Sequence, residues 1–434
     1  MSSSSKDVYL VIGGSGFLGR HIVQQLVARG DAVSVFDIVQ RYHDVPFYSG
    51  DISEEGQVAG ALRKSGATCI IHTASPIHGL DDPALYWKVN VDGTKAVIAA
   101  AVANGVPKLV YTSSAGVVFS GESLIDVDER VPPPEKAMDA YNESKLKAEE
   151  MVLAANGKGG LYTVALRPAG LFGPGDRQLM TGLYQTYLRN QTHFQIGDNT
   201  NLFDWTYIEN AAYAHLLAAD RLAPPSPEEV AKLKEELHNA LPSIDNTVGR
   251  RRIPTSECRP LGPYVELPSN AEKLVEAWSN PDYKPPVLRP AVRGRFDQFS
   301  DGALAREGDA QLQVAGQAFF ITNGEPMYFW DLPRMLYKRF DEHFGTNKSQ
   351  RRRIQLSREI GLVLASGAEW WSWLVGKEPG FTRFRVTFSC VWRCYNIEKA
   401  RRLLGYEPIV GMDEGLRRTV EWWVADQQKS QVKA

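Results

Sequence analysis

The chain has 434 residues, of which 43% are hydrophobic and 23% charged, and its net charge is −2. That length supports two or three domains' worth of core, and the near-neutral balance argues against a nucleic-acid partner. The scattered cysteines Cys69, Cys258, Cys390 and Cys394 fit a reduced compartment, with neither a disulfide framework nor a metal site expected.

The polar start, Met1 to Lys6, lacks the apolar stretch of a secretory signal. Val8 to Ile12 then reads as a fully buried strand, and Gly13-Gly14-Ser15-Gly16-Phe17-Leu18-Gly19 follows it. From Gly16 to Arg29 apolar residues recur at helical spacing. Strand, glycine turn and helix together are the setting of a dinucleotide fingerprint. Gly13, Gly16 and Gly19 allow close backbone approach to a pyrophosphate, and the helix start at Phe17 and Leu18 aims N–H groups at it. The second strand, Ala32 to Phe36, ends at Asp37, where the fingerprint expects a ribose ligand. A carboxylate there repels a 2′-phosphate, so NAD is favoured, while nearby Arg41 leaves NADP open.

The third strand, Val45 to Ser49, leads to Asp51-Ile52, where Asp51 either bonds an adenine amino group or simply makes a turn. The fourth, Cys69 to Ile71, runs into His72-Thr73-Ala74-Ser75. The small residues Thr73, Ala74 and Ser75 let a cofactor lie along the backbone, and His72 reads as a packed or capping histidine. A helical pattern from Ala84 to Asn104 contains Asn90, whose buried amide needs partners that a neighbouring loop could supply. The fifth strand, Lys108 to Tyr111, ends in Thr112-Ser113-Ser114, hydroxyls at the edge where an open α/β sheet binds its substrate. A helix then begins with Tyr141-Asn142-Glu143-Ser144-Lys145. Tyr141 and Lys145 lie one turn apart on one face. An ammonium and a positive nicotinamide would pull the phenol from its usual value of about 10 towards neutrality, making it a proton acceptor for an alcohol. Ser113 or Ser114 would hold the same oxygen.

These motifs together resemble the extended short-chain dehydrogenase/reductases. Leu166-Arg167-Pro168-Ala169-Gly170-Leu171-Phe172-Gly173-Pro174, Phe203-Asp204-Trp205-Thr206-Tyr207-Ile208-Glu209-Asn210 with His215, Phe320 to Pro326 and Lys399 to Pro408 are similar to the 3β-hydroxysteroid dehydrogenase branch. The resemblance implies an α/β protein, with a doubly wound parallel sheet of the Rossmann type and a smaller C-terminal substrate domain. Residues 1–178 would form the first part, with strands near 203–208 and 317–323 returning to it, and 179–434 the second. It implies Tyr141 as acid/base, Lys145 as its partner and ribose ligand, Ser114 as hydroxyl holder and Pro168 beside the nicotinamide. The reaction implied is oxidation of the 3β-hydroxyl of a sterol with a C4 carboxylate, followed by loss of carbon dioxide, at the cytosolic face of the endoplasmic reticulum membrane. A complex with other C4-demethylation enzymes comes from the same resemblance, and a homodimer is left open. The competing readings are a carbonyl reductase of the dihydroflavonol-reductase type, a nucleotide-sugar epimerase and a non-catalytic NAD(P)-sensing protein on the same fold.

Between residues 221 and 314 the composition turns to Pro, Glu, Lys and Arg, with helical patterns only near Glu228 to Leu241 and Asn270 to Ser279. This insert reads as a lid or a flexible insertion. Beyond it, Ala318 to Ile321 reads as a sheet strand and Phe329 to Phe344 as an amphipathic helix. Arg351-Arg352-Arg353 precede Trp370-Trp371-Ser372-Trp373. Such tryptophans either cover the substrate domain's core or lie at a bilayer interface, and a sterol substrate favours peripheral membrane contact.

Overall fold

The apolar runs of the first third join one parallel sheet. Strands β1 (Val8–Ile12), β2 (Ala32–Asp37), β3 (Phe47–Ser49), β4 (Cys69–His72), β5 (Lys108–Thr112), β6 (Leu124–Val127) and β7 (Tyr162–Pro168) follow in chain order. All but β6 enter a seven-stranded sheet, completed by Gln317–Ile321. The order is Gln317–Ile321, β7, β5, β4, β1, β2, β3, and every pairing is parallel. The chain winds outward from β1 on both sides, so β1 and β4 flank the switch point where such sheets bind ligands beyond their carboxyl ends. The computed structural model describes residues 6–238, 301–376 and 381–432, with a few short stretches between 239 and 300.

Central strands without polar alternation are buried on both faces. Tyr9, Val11, Cys69, Ile71 and Val110 enter one apolar layer, and Leu10, Ile12, Ile70, Leu109 and Tyr111 the other. The first layer includes helices Phe17–Arg29 and Ile208–Asp220 and runs on into the C-terminal part as far as Val424. The long helical pattern after β4 is not one α-helix. It is Pro83–Tyr86, a π-helical segment Trp87–Gly93, then Thr94–Ala103.

The strand expected near 203–208 does not return to the main sheet. It splits at Asp204: Trp205–Tyr207 pairs with Gly170–Phe172, and Leu202–Phe203 joins a second sheet. The reason is local, since the buried Asp204 accepts the Tyr395 N–H at 2.8 Å and its own N–H donates to the Arg393 carbonyl at 2.9 Å. That second sheet has the order Met327–Tyr328, Leu202–Phe203, Arg393–Tyr395, β6. β6 belongs to the first segment, so the two parts interleave. Of the insert, helix Pro227–His238 is seen, whereas the helical stretch expected at 270–279 lies largely outside the described residues.

Candidate active site

The glycine turn is built by close backbone approach. Gly13 has φ +83°, and a Cβ there would stand 2.7 Å from the Ala74 nitrogen and 2.8 Å from Thr73 Oγ1. A Cβ on Gly19 would meet the Gly13 carbonyl oxygen at 2.2 Å. Gly16 caps helix Phe17–Arg29 without a side-chain hydrogen bond, and no acid lies in the first turn. The first N–H groups of the helix therefore have no side-chain cap, as an anion site requires. The cradle and these donors fit a dinucleotide pyrophosphate.

The residues read as cofactor ligands gather around this turn. Asp37 Oδ2 accepts the Ser15 N–H at 3.0 Å, so the ribose-site acid also braces the glycine loop. Thr73 Oγ1 donates to the Ile12 carbonyl at 3.0 Å, which sets Ala74 and Ser75 alongside Gly13. Pro168 ends β7 opposite Ile321. Phe17 is half-buried beneath Gly175, while Leu18 and Ile52 point into the core and can offer a ligand only backbone. Asp51 makes a turn: Oδ1 accepts the Ser53 N–H at 2.9 Å and the Ser53 hydroxyl at 2.8 Å, and Oδ2 pairs with Lys88 at 3.0 Å. Hydrogen bonds from the Ser53 backbone and hydroxyl, with Lys88 beside it, hold its carboxyl below the usual range. Arg41 is exposed. The basic group at this edge is instead Arg20, which lies 4.0 Å over the Tyr42 ring and pairs with Asp44 at 2.8 Å. Its sequence signal was its place directly after the glycine fingerprint.

At the other end of the cleft, Asp139 caps helix Ala140–Ala154 by accepting the Asn142 N–H at 2.7 Å. This seats Tyr141 in the first turn, edge-on to His78 at 4.9 Å and Tyr86 at 5.5 Å. His78 also lies 3.2 Å from Asp139, so it braces both the cap and the phenol ring. Neither His78 nor Asp139 carried a motif. Ser114 caps the turn Ala115–Val118, its Oγ accepting the Gly116 N–H at 3.0 Å, and it is half-buried. Ser113 is fully buried, with its hydroxyl unpaired. A Cβ on Gly116 would stand 2.1 Å from Asn142 Oδ1, so the Ser114 turn and the start of the Tyr141 helix touch.

Lys145 shares the helix face of Tyr141 but is 2% exposed, and its ammonium donates to the Thr112 carbonyl. It lies 4.4 Å over the Tyr111 ring, and burial pushes it down to about 7, with Glu149 opposing. The lowering of Tyr141 read from the spacing is absent from the protein's own charges. Burial pushes that phenol up to about 12; a hydrogen bond with Ser75 eases it, and Asp139 and Tyr86 raise it further. Lys145 is oriented toward the end of β5, onto the Thr112 carbonyl.

Behind the site the histidines are structural. His215 Nδ1 donates to the Ala211 carbonyl at 2.7 Å, its Nε2 accepts from Thr112 at 2.8 Å, and burial lowers it to about 4. His72 contacts Thr94 at 3.1 Å and is pushed down to about 3, mainly by burial and then by Lys145. Asn90, in the π-helical segment, donates to Ser144 at 2.9 Å, and Ser144 donates to the Tyr141 carbonyl at 2.8 Å. The partner the buried amide needed is thus the Tyr141 helix itself, and a π-bulge at such a place is a frequent mark of function.

The model of the 3-beta hydroxysteroid dehydrogenase/isomerase family matches residues 10–236. The chain is 40% identical to sterol-4-alpha-carboxylate 3-dehydrogenase, decarboxylating, of Schizosaccharomyces pombe, covering 95% of this chain and 96% of that one. It is 37% identical to the Saccharomyces cerevisiae enzyme of the same name, over 96% and 98%. The Homo sapiens enzyme is 31% identical, over 95% and 87%. Among solved structures, gox2253 aligns with a TM-score of 0.62 at 19% identity, over 97% of this chain and 99% of that one. The Thermus thermophilus UDP-glucose 4-epimerase complex with NAD aligns with a TM-score of 0.56 at 20% identity, over 96% and 98%. Both share the fold.

Proposed function

The chain belongs to the 3-beta hydroxysteroid dehydrogenase/isomerase family, and on that premise we propose that it oxidises the 3β-hydroxyl of a 4α-carboxysterol to the ketone, with loss of carbon dioxide, in sterol C4 demethylation. The observation that carries the site reading is the contact between the Ser114 turn and the capped start of the Tyr141 helix, whose phenol is hydrogen-bonded to Ser75, next to the Ala74 that packs on Gly13. The enzyme uses a nicotinamide dinucleotide. Asp37, at the end of β2, supports NAD over NADP.

Tyr141 takes the proton of the 3β-hydroxyl, and Ser114 holds the same oxygen. When bound, the oxidised nicotinamide supplies the hydride acceptor for C3 and a positive charge beside a phenol that burial otherwise holds at about 12. Lys145, fixed on the Thr112 carbonyl, is the residue that would hold the ribose hydroxyls. Oxidation leaves a β-keto acid. Its C4–carboxylate bond breaks, carbon dioxide departs, and the electron pair passes to the C3 oxygen as an enolate that takes up a proton. No separate base is required.

Helix Arg358–Val375 supports the membrane setting. Trp370 and Trp371 are each 62% exposed and Trp373 79%, and only Gly361 and Ala365 are buried. The tryptophans therefore do not cover a core. Arg351, Arg352, Arg353 and Arg358, at and before the start of the same helix, are exposed too. Rings with a flank of cations suit an anionic lipid surface, and we place the enzyme on the cytosolic face of the endoplasmic reticulum, where other C4-demethylation enzymes would meet it. Among the described residues no helix is long and apolar enough to cross a membrane.

The test is turnover of detergent-solubilised 4α-carboxy-3β-hydroxysterol with NAD or NADP, following reduced cofactor and sterol mass. A decarboxylated 3-ketosterol, formed faster with NAD, is expected. Tyr141→Phe should lose roughly 10²–10⁴-fold in kcat while still binding NAD. Wild-type protein that binds cofactor yet leaves the sterol unchanged sinks the reading.

A further inference from the structure

A second acid stands at the nucleotide end of the cleft, and it holds a cation. Arg20 directly follows the glycine fingerprint, on helix Phe17–Arg29, and its side chain is 17% exposed. Its guanidinium carbon lies 4.0 Å from the centroid of the Tyr42 ring. Nη1 donates to Asp44 Oδ1 at 2.8 Å, and that hydrogen bond holds the Asp44 carboxyl below its usual range. Nε is buried without a hydrogen-bond partner among the described residues. A guanidinium offers five N–H donors in a rigid fork. This one is stacked on a ring, anchored through one nitrogen and left with donors to spare. A buried N–H with no acceptor is costly, so an acceptor from outside the chain would be gained at this point.

The surroundings say which acceptor. Arg20 and Tyr42 line a hollow together with Gly14, Ser15, Val35 and Phe47. Gly14 rests on Val35, since a Cβ on it would stand 2.6 Å from Val35 Cγ2. Ser15 gives its N–H to Asp37 Oδ2 at 3.0 Å, and Asp37 Oδ1 accepts the Ile38 N–H at 2.8 Å. The hollow therefore shares an edge with the acid that would meet the adenosine ribose. Arg41 and His43, on the same connection between β2 and β3, are exposed and do not line it. Asp37 and Arg20 alone would balance, leaving an unused fork that suits a phosphate. Asp44 occupies that fork and tips the balance negative.

We infer that Asp44 is a cofactor-selecting residue: it engages the Arg20 fork that would otherwise receive the 2′-phosphate of NADP, so preference for NAD rests on two acids, Asp37 and Asp44. The inference deepens the NAD reading above and rests on it. A ribose 2′-hydroxyl is indifferent to the Arg20–Asp44 pair. A 2′-phosphate has to break it and then faces two carboxylates. Tyr42 supports the guanidinium from its ring face with or without Asp44. Removing the acid thus leaves the fork in place for a phosphate.

The experiment is equilibrium binding of NADH and NADPH to the full chain, followed by nicotinamide fluorescence and free of any turnover. Asp44→Asn keeps the side chain's size and drops its charge. It should tighten NADPH roughly 10–100-fold while NADH moves by less than about threefold. Adding Arg20→Met to Asp44→Asn should cancel the gain. Where Arg20→Met does not fold, Arg20→Gln, which keeps donors without the charge, takes its place. A gain that survives loss of the guanidinium means that Asp44 acts by repulsion alone, and it overturns the inference. Equal weakening of NADH and NADPH by Arg20→Met alone makes Arg20 a support for the adenine and overturns it as well. Wild-type preference for NADH with no response to Asp44→Asn leaves Asp37 as the selector and overturns only this inference. Wild-type protein that binds NADPH as tightly as NADH removes the NAD reading too, and is seen before any substitution is made.

Discussion

Arg167 and Arg393 are both buried arginines on strand residues. Arg167 leaves β7 and grips Glu149 with two hydrogen bonds, Nε to Oε2 at 2.9 Å and Nη2 to Oε1 at 2.6 Å. Arg393 leaves the second sheet and, among the described residues, rests on the rings of Phe119, Phe388 and Phe203 and donates to the Tyr395 hydroxyl. On the nucleotide side the buried charge is matched within the chain, and it serves to lock the helix to the sheet. On the second sheet the charge sits among aromatic rings and helps hold the Asp139 carboxyl below its usual range. The contrast separates a buried arginine closed by an ion pair from one seated on aromatic rings, although both are about equally hidden from water.

The sharpest way to break the contrast is to open the matched pair. Arg167→Met leaves Glu149 as an uncompensated buried charge and should destabilise the protein by about 3–5 kcal/mol in urea unfolding. A loss under about 1 kcal/mol would mean that the pair is not structural, and the distinction would fall. A smaller effect concerns Lys145, pushed down from 10.5 to about 7 by burial. Between those values the unfolded chain holds a proton that the folded one lacks. Stability from this group is therefore complete above pH 10.5 and is lost as pH falls through 7. The slope is at most about 1.4 kcal/mol per pH unit. Lys145→Met should remove that slope from the unfolding curves, and identical curves for wild type and variant would contradict the burial argument. The smallest effect on stability is expected at the exposed tryptophans. Trp370→Ala with Trp373→Ala should change unfolding by no more than about 0.5 kcal/mol, yet weaken flotation with anionic vesicles severalfold. Undiminished flotation would remove lipid as the reason for their exposure.

The nucleotide side was legible because its parts lie close together in sequence. A strand, three glycines and a helix within Val8 to Arg29 define the cradle, and Asp37 follows at the end of the next strand. The Tyr141 and Lys145 spacing was equally plain, but not the direction of the ammonium, which depends on the Thr112 carbonyl in a different element. The substrate side hid itself for the same physical reason. Its sheet takes strands of two to four residues from β6, Leu202–Phe203, Met327–Tyr328 and Arg393–Tyr395, too short to show a period. Phe203 appeared to continue into Trp205, and only the hydrogen bonds of the buried Asp204 show the break. Arg393 acquires its significance from Phe119, Phe203 and Phe388, which no local pattern connects to it.

The pairing of β6 with Arg393–Tyr395 sets a timetable for the ribosome. β6 leaves the tunnel early, but its neighbour is translated only near the end of the chain. At about 5–20 residues per second, the gap amounts to roughly 10–60 s. Throughout that interval the glycine cradle has all its strands from β1 to β5, while β6, and Leu202–Phe203 once it is made, wait as open edges that another nascent chain could capture. Cofactor recruitment can thus precede the birth of the sterol pocket, and a chaperone that shields strand edges would act on this protein at β6.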